Sequence, residues 1–396
     1  MVRELIIELY LFLFKMLFLL FKPLEVKDKV TFVVTFGQNS IFVYEEMLRQ
    51  KTPYEAVFLR KKSCSYDFSE YSNTRVINFE TKNPLDLIKS IYHLATSKYV
   101  IIDNYYAFLS VVTFKQEVQC IQLWHAAGAI KTFGLRDQSI KVRSKRANER
   151  FLKVYKQFHK IVVGSDALAN IFIEAFNLPA GSILTTGIPR TDLFYDKGKQ
   201  TMIKSALQKE NEALKSKKVI LYAPTFRDHE LVKFNIKLDL DLMYEELADE
   251  YSIIIKLHPA IKEKANLEDL YPGFVFDYSS YQDINELLIV ADYLITDYSS
   301  IPYEFALLGK PMIFFPYDLD EYMLQRGLWD SYDNSVPGPI VYETNDIISL
   351  IRDNQFDLEK VREFSKKWNK YSNGRSSQQL VESIFNEKAY LKALHG

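Results

Sequence analysis

The stretch that most constrains the fold is residues 294–316, which reads LITDYSSIPYEFALLGKPMIFFP. An apolar run, a helical pattern and a second apolar run follow one another here, separated by short turn sequences. This order predicts a strand, a helix and a second strand, the repeating unit of a parallel α/β sheet. Ser299 and Ser300 fall where the helix begins, at the carboxyl end of the first strand. The free N–H groups of a helix start favour phosphate binding, and the competing interpretation is that the serines only cap the helix.

The same alternation continues along the chain and predicts an α/β protein with two doubly wound domains facing each other across a cleft. A chain of 396 residues, of which 48% are hydrophobic, has enough apolar side chains for two such cores. The predicted first domain covers residues 25–195 and the predicted second domain covers 218–396. A polar, lysine-rich linker at 196–217 is predicted to join them.

Charge and cysteine content exclude several classes of protein. A formal net charge of −1 gives no support to a general nucleic-acid-binding role. Cys64 and Cys120 form no CxxC pair, so we predict neither a disulfide framework nor a zinc site, and a reducing compartment fits. The motifs of P-loop NTPases, simple dehydrogenases and α/β-hydrolases are missing from the sequence. The sequence therefore predicts no metal and no cofactor.

Two acidic pairs resemble metal ligands only superficially. Residues 239–241 and 318–320 both read Asp-Leu-Asp, and both begin helical patterns. Because aspartate is a preferred residue at helix N-caps, we interpret both pairs as caps.

The N-terminal segment, residues 1–24, is predicted to form an amphipathic helix that associates with a membrane. Glu8, Lys15 and Lys22 recur every seven residues and therefore share one polar stripe of a helix. The uninterrupted apolar runs are too short to cross a bilayer, which takes about 20 apolar residues. The favoured interpretation is a helix in the plane of the membrane surface. A helix packed into the core and a short anchor with snorkelling lysines are the alternatives.

The segment at 124–134, WHAAGAIKTFG, is the first candidate for chemistry. His125 follows a predicted strand at 119–123, and the small residues behind it leave room for a substrate to approach the backbone. A lone histidine is more often structural, but the carboxyl end of a strand is also a typical catalytic position. Lys131, six residues further on, is a candidate phosphate ligand.

Other predicted strand ends and turns also carry cations or hydroxyl groups. Each signal is weak alone, and Arg190 in particular is as consistent with a carboxylate pair as with phosphate. A basic run at 141–150, KVRSKRANER, fits either a solvated helical face or a surface drawn to anionic lipid or to a lipid-linked diphosphate. The candidate ligands are Arg190 in GIPRTD, Thr225 and Arg227 in YAPTFRD, Lys256 and His258 in KLHP, Thr296 in TDYSS, and Arg326 after the last aromatic run.

Together these stretches resemble the CDP-glycerol glycerophosphotransferases of wall teichoic acid assembly. The resemblance implies a GT-B-like fold, peripheral attachment to the cytoplasmic face of the cell membrane, and attack by an acceptor hydroxyl on the glycerol-side phosphorus of CDP-glycerol, releasing CMP. The matching motifs, in family order, are WH-x-x-G-x-x-K-x-x-G at 124–134, GIPRTD at 187–192, YAPTFRD at 222–228, KLHP at 256–259, TDYSS at 296–300 and E-x-x-x-x-GKP at 304–311.

The resemblance also implies roles for individual residues. It makes His125 the general base and His258 a second catalytic histidine. The implied donor contacts are His258, Ser299 and Ser300 on the pyrophosphate, Glu304 on the ribose, and Arg227 and Arg326 on phosphate or nucleotide.

Two features favour the family members that add a single unit. Ala126 follows the motif histidine, where polymerising members usually carry glycine, and their additional N-terminal region does not precede the motifs. The implied acceptor is undecaprenyl-diphosphate-linked ManNAc-GlcNAc, with the membrane surface and other teichoic acid enzymes as further partners. The alternatives are addition of later glycerol phosphate units, a monotopic GT-B glycosyltransferase that uses a nucleotide sugar, and a non-catalytic scaffold.

Overall fold

Parallel strands dominate the computed structural model, which describes residues 2–227, 230, 235–258, 261 and 267–385. Asp228 and Pro259, which belong to two of the predicted motifs, lie outside the described residues. The strands are β1 (Lys27–Val34), β2 (Glu55–Arg60), β3 (Thr74–Asn78), β4 (Ser97–Ile102), β5 (Gln119–Gln122), β6 (Lys160–Val162), β7 (Ile183–Leu184), β8 (Lys218–Ala223), β9 (Tyr251–Ile255), β10 (Val275–Asp277), β11 (Tyr293–Thr296) and β12 (Met312–Phe314).

These strands form two sheets whose neighbouring strands are all parallel. The first sheet has the order β3-β2-β1-β4-β5-β6-β7, and the second has the order β10-β9-β8-β11-β12. The strand order reverses between β1 and β4 in the first sheet and between β8 and β11 in the second. In open α/β sheets, ligands bind outside the carboxyl ends of the strands at such a reversal. The predicted α/β class is therefore confirmed, and each sheet has one preferred ligand position.

Helices connect the strands, and their starts follow local sequence signals. Asn83 accepts the N–H of Leu85, and Ser144 accepts that of Ala147, as expected of N-caps. The helices are α1 (Val2–Phe21), α2 (Gln38–Arg49), α3 (Pro84–Thr96), α4 (Lys145–Tyr155), α5 (Asp166–Phe176), α6 (Lys197–Glu210), α7 (Ala213–Ser216), α8 (Leu240–Leu247), α9 (Leu267–Leu270), α10 (Ile284–Val290), α11 (Ile301–Phe305), α12 (Leu319–Arg326), α13 (Tyr332–Ser335), α14 (Thr344–Asp353), α15 (Leu358–Trp368) and α16 (Ser376–Phe385).

The two acidic pairs differ in what they do. Asp239 accepts the N–H of Leu242 at the start of α8, as predicted for a cap. Asp318 precedes α12 but makes no side-chain cap bond, so its prediction as a cap is wrong. Its carboxylate is instead engaged by Arg227, at 2.6 Å from Nε, which is a stronger partner than a backbone N–H because it is charged.

The chain divides into two units with boundaries that differ from the predicted ones. The first unit comprises Met1–His125, Phe133–Asp192 and Lys370–Gly396, and the second comprises Ala126–Thr132 and Leu193–Asn369. The stretch predicted as a linker, 196–217, belongs to the second unit, where α6 packs against α10 and buries Leu207. Helix α16 belongs to the first unit, where it packs against α2. Composition alone does not show which of two sheets a terminal amphipathic helix will cover.

Helix α1 divides its apolar residues between two faces. Leu11, Phe14 and Phe18, spaced three and four residues apart, are buried, and Phe14 stacks on Phe108 with ring centroids 5.1 Å apart. A second face is exposed, and its members are 47–71% accessible: Leu5, Ile6, Leu9, Phe12, Leu13, Met16, Leu19 and Leu20. The alternative prediction, a helix packed into the core, therefore applies to one face of α1 only. Across the described residues, no helix combines the length and apolarity that crossing a bilayer requires.

Candidate active site

His125 occupies a defined pocket of the first unit, immediately beyond β5. Its ring lies between two aromatic rings, with centroids 4.3 Å from Phe36 and 4.5 Å from Trp124. Its Nδ1 is 3.1 Å from the backbone carbonyl oxygen of Asp103. A carbonyl oxygen can only accept, so Nδ1 carries the hydrogen and the lone pair of the neutral ring is on Nε2.

The surroundings of His125 keep its imidazole neutral. Burial, with a smaller contribution from the nearby Arg190 guanidinium, lowers the pKa of His125 to about 4, while the hydrogen bond to the Asp103 carbonyl opposes this shift. At neutral pH the ring is therefore unprotonated and has Nε2 available. This is the state that a general base requires before it takes up a proton.

A buried carboxylate holds the loop beside His125. Asp103 is 1% exposed, and its two oxygens accept the backbone N–H groups of Thr35, Phe36 and Gly37 at 2.8–3.1 Å. The hydroxyl of Tyr106 donates to the same carboxylate at 2.8 Å. Burial raises the pKa of the Asp103 carboxyl, and these four donors act in the opposite direction. No motif in the sequence marks Asp103, although it follows a strand as His125 does.

Arg190 lies in the same unit and is also buried. Its Nη1 donates to Oε1 of Gln38 at 2.8 Å, and its backbone N–H donates to Oδ1 of Asn39 at 3.0 Å. Asn39 donates in turn to the carbonyl of Trp124 at 3.0 Å. Gln38 and Asn39 were missed from the sequence, and the signal that could have found them is Gly37, which directly precedes α2 in the left-handed region at φ 85°.

The segment Ala126–Thr132, which we call the strap, belongs to the second unit. Lys131 and Leu328 form an antiparallel bridge. The N–H of Thr132 donates to the carbonyl of Gly327 at 3.1 Å, and the N–H of Trp329 donates to that of Ile130 at 3.0 Å. The carboxyl half of the strap is therefore held by the chain that follows α12.

The amino half of the strap is held by α11. Oε1 of Glu304 accepts the N–H of Ala127 at 3.1 Å. Gly128 lies against the ring of Tyr303, so closely that a Cβ at this position would be 2.2 Å from a ring carbon. Glu304, predicted to hold a ribose, thus has the strap as an observed partner.

The strap brings Lys131 into electrostatic range of His258. Burial lowers the pKa of Lys131 to about 8, with Arg326 and Arg227 contributing in the same direction and Asp297 opposing them. Burial also lowers the pKa of His258. Among the charged groups that lower this pKa as well, Lys131 contributes most. The ring of His258 is 4.4 Å from that of Phe226, between centroids. A lysine and an imidazole at one edge of the second sheet form a candidate anion site.

Arg227 is bound by carboxylates of its own unit. Its Nη2 donates to Asp297 at 3.1 Å and to Asp318 at 2.8 Å, and its guanidinium carbon is 4.9–5.1 Å from the ring centroids of Tyr298, Tyr317 and Tyr322. Asp297 also accepts the N–H of Thr225 at 2.8 Å. These contacts tie together the loops that follow β8, β11 and β12.

Other predicted ligands also have partners within the protein. Oγ1 of Thr296 donates to the carbonyl of Ala223 at 2.6 Å. Nζ of Lys256 donates to the carbonyls of Ser279 and Tyr281 at 2.9 and 2.5 Å. Thr296 therefore joins the ends of β11 and β8, and Lys256 holds the loop that follows β10.

The two serines differ in their local bonding. Oγ of Ser299 accepts the N–H of Ile301 at 3.2 Å, which matches the capping interpretation, whereas Ser300 is the N-cap of α11 and makes no side-chain cap bond. Both are half-buried and follow β11 at the same sheet edge as His258. Within the described ranges, no group of three His, Cys, Asp or Glu side chains is placed to hold a metal ion.

Comparison with known proteins gives concordant matches. The model of the family described as CDP-Glycerol:Poly(glycerophosphate) glycerophosphotransferase matches residues 14–386. The teichoic acid glycerol-phosphate primase of Bacillus subtilis (strain 168) is 36% identical over 386 residues, which are 97% of this chain and 99% of that protein. The teichoic acid poly(ribitol-phosphate) polymerase of Bacillus spizizenii is 35% identical over 349 residues, which are 87% of this chain and 54% of that protein. The structure of the wall teichoic acid polymerase TagF has the same fold, with a TM-score of 0.78 at 22% identity, over 100% of this chain and 99% of that one.

Proposed function

The chain belongs to the CDP-glycerol:poly(glycerophosphate) glycerophosphotransferase family and is a CDP-glycerol glycerophosphotransferase; from this premise we propose that it primes wall teichoic acid synthesis. The proposed reaction moves one glycerol phosphate from CDP-glycerol to a lipid-diphosphate-linked ManNAc-GlcNAc acceptor and releases CMP. The observation that carries the proposal is the end-to-end match to a glycerol-phosphate primase, which covers 99% of that protein.

In the proposed reaction His125 is the general base. Nε2 of His125 takes the proton of the acceptor hydroxyl while its oxygen forms a bond to the glycerol-side phosphorus of CDP-glycerol. The bond from that phosphorus to the bridging oxygen breaks, and CMP leaves with the electron pair. The neutral ring and the Nδ1 bond to the Asp103 carbonyl support this role, because they leave Nε2 as the acceptor of the proton.

The charge on the transferring phosphoryl group needs fixed donors, and the second unit supplies candidates. We assign this task to His258, Lys131, Ser299 and Ser300. Lys131 and His258 interact electrostatically, and both serines follow a strand of the same sheet. Preorganised donors of this kind stabilise charge that develops in the transition state.

The remaining predicted residues are assigned around these four. Arg326 interacts electrostatically with Lys131 and is a further phosphate candidate. Glu304 is assigned to the ribose as well as to the strap, and Arg190 to the acceptor side near His125. Four further predicted ligands form hydrogen bonds with carboxylates or carbonyls of the protein. We assign these four to stabilising the strand ends and loops of the second unit: Thr225, Arg227, Lys256 and Thr296.

A donor comparison tests the proposed function. Purified protein with a synthetic lipid-diphosphate disaccharide should release CMP from CDP-glycerol and should leave UDP-sugars intact. Transfer from a UDP-sugar would instead support the glycosyltransferase alternative. Turnover of CDP-ribitol at a comparable rate would contradict the assignment to glycerol. The 35% identity to a poly(ribitol-phosphate) polymerase makes this second donor the sharpest competitor.

The pKa of Lys131 predicts how donor use depends on pH. Lys131 is charged below its pKa of about 8 and loses its charge as the pH rises through that value. We therefore expect kcat/KM for CDP-glycerol to fall above about pH 8, because the free enzyme loses a phosphate ligand. In Lys131→Arg the cation persists to higher pH, so the fall should move upward. Initial rates of CMP release across pH 6–10 provide the measurement; an unchanged profile in the arginine variant would assign the fall to another group.

The exposed face of α1 supports a second element of the proposal, peripheral attachment to a membrane. Arg150 of α4 is 3.4 Å from Glu8 and 3.5 Å from Glu4, so α1 and α4 lie side by side in the first unit. The outer face of α4 and its last turn carries exposed cations, namely Lys145, Arg146, Lys153 and Lys156. An apolar face beside a basic one fits the surface of an anionic membrane.

Charges on the exposed face of α1 should release the protein from membranes. We expect Leu9→Glu, Phe12→Glu and Met16→Glu together to weaken binding to anionic vesicles on the order of a hundredfold or more, because three inserted apolar side chains are lost. The matched control places glutamate at three exposed apolar positions of the second unit, Met202, Leu270 and Tyr342. Co-sedimentation with vesicles measures both variants, and equal retention of both would contradict the role of α1.

A further inference from the structure

We propose that Asp103 is a positioning residue that sets the orientation and the protonation state of His125. The inference rests on the proposed function, in which His125 is the base. Asp103 directly follows β4, which lies next to β1, at the point where the strand order of the first sheet reverses. It acts on His125 through two separate groups, its backbone carbonyl and its side-chain carboxylate.

The backbone group fixes the tautomer. The carbonyl oxygen of Asp103 accepts Nδ1–H of His125 at 3.1 Å, which leaves Nε2 as the basic nitrogen. The acceptor that binds one ring N–H determines which of the two nitrogens carries the proton. Residue 103 therefore selects the nitrogen that faces the acceptor hydroxyl.

The side-chain group fixes the ring that covers His125. The carboxylate of Asp103 accepts the N–H of Phe36 at 2.9 Å, together with those of Thr35 and Gly37. The ring of Phe36 stacks on the imidazole at 4.3 Å and keeps water from that face. The Arg190 guanidinium disfavours protonation of the imidazole, whereas the hydrogen bond to the backbone carbonyl of Asp103 favours it. Without the carboxylate, three N–H groups lose their acceptor and the Phe36 loop loses its anchor.

A carboxylate at the equivalent place of the second sheet provides a comparison. Asp297 directly follows β11, which lies next to β8, and accepts the N–H of Thr225 in the loop that follows β8. Both aspartates thus bind backbone N–H groups of the loop after the neighbouring strand, at the reversal point of their sheet. Asp297 supports the predicted donor loops of the second unit, whereas the carbonyl of Asp103 binds an imidazole. The two residues are therefore alike in burial and in binding loop N–H groups, although Asp297 also accepts a bond from the Arg227 guanidinium. They are predicted to differ in their effect on catalysis.

The test compares Asp103→Asn with Asp297→Asn. In Asp103→Asn one amide oxygen replaces two carboxylate oxygens, and an NH₂ group faces the loop N–H donors. We expect the Phe36 loop to shift and the imidazole to gain water. The acid limb of the kcat/KM profile, which reports the free enzyme, should then move from near pH 4 toward the ordinary histidine value of about 6.5. At pH 7 kcat should fall about ten- to a hundredfold with KM for CDP-glycerol within about twofold of the parent.

Asp297→Asn should give the opposite pattern, a raised KM for CDP-glycerol with the acid limb in place. Phe36→Leu leaves the carboxylate intact and should move the acid limb in the same direction as Asp103→Asn. It replaces Asp103→Asn in the test if the asparagine variant does not fold. The inference is overturned if neither first-unit variant moves the acid limb, or if Asp297→Asn moves it equally. Loss of turnover in His125→Ala, measured in parallel, keeps such a failure distinct from a failure of the proposed function.

Discussion

Replacing His125 by alanine is expected to lower the rate of transfer by about a thousandfold, within the range known for loss of a general base. The proposed base is the lone pair on Nε2. Alanine has no such lone pair, and the Asp103 carbonyl cannot replace it. Donor affinity should change little, because the proposed phosphate ligands belong to the second unit. Single-turnover release of CMP measures the rate, and titration calorimetry with CDP-glycerol measures the affinity.

His125→Asn is the matched control for this prediction. Its side-chain amide can still donate to the Asp103 carbonyl, so the local structure is kept, but it has no basic nitrogen. We expect it to be as inactive as the alanine variant. A rate near that of the parent in either variant would contradict the role of His125, and a large loss of donor affinity in both would assign His125 to binding.

Adding a methyl group at residue 128 is expected to displace the strap. A Cβ there would be 2.2–2.5 Å from three atoms of the Tyr303 ring, which is fully buried and has no space to retreat. Gly128→Ala should therefore lower the free energy of unfolding by about 1–3 kcal/mol, as overpacking does. It should also lower kcat/KM at least about tenfold, because the displaced strap carries Lys131 away from His258.

Gly181→Ala is the control for added volume at a glycine. A Cβ at Gly181 would meet no atom within 4 Å, so we expect a change in stability within about 0.5 kcal/mol. Thermal unfolding and donor kinetics of the two variants separate a steric effect at the strap from a general effect of glycine loss. Equal behaviour of the two variants would show that the strap does not depend on its contact with Tyr303.

Much of the fold could be predicted because strand and helix signals are local. The apolar, β-branched runs locate most strands within a few residues, and Asn83-Pro84 marks the start of α3. The position of α16 was missed because it depends on packing with α2, far away in the chain.

Only the candidate site residues that follow strands could be predicted from the sequence. The sheet edge at which candidate residues lie could be predicted in each unit, because these residues follow strands. They are His125 in the first unit, and His258 and the two serines in the second. The partners of Arg227 were not, because Asp318 is 91 residues away and was interpreted as a cap. Glu304 was matched to a ribose, and its bond to Ala127 spans 177 residues. Long-range pairing of this kind leaves no local pattern in the sequence.

The most direct test of single transfer is the length of the product. The protein is incubated with a synthetic lipid-diphosphate ManNAc-GlcNAc acceptor and a large excess of CDP-glycerol, and the lipid product is analysed by mass spectrometry. We expect acceptor carrying one glycerol phosphate, with one CMP released for each acceptor consumed. A ladder of longer products, or CMP release without modification of the acceptor, would contradict the assignment as a priming enzyme.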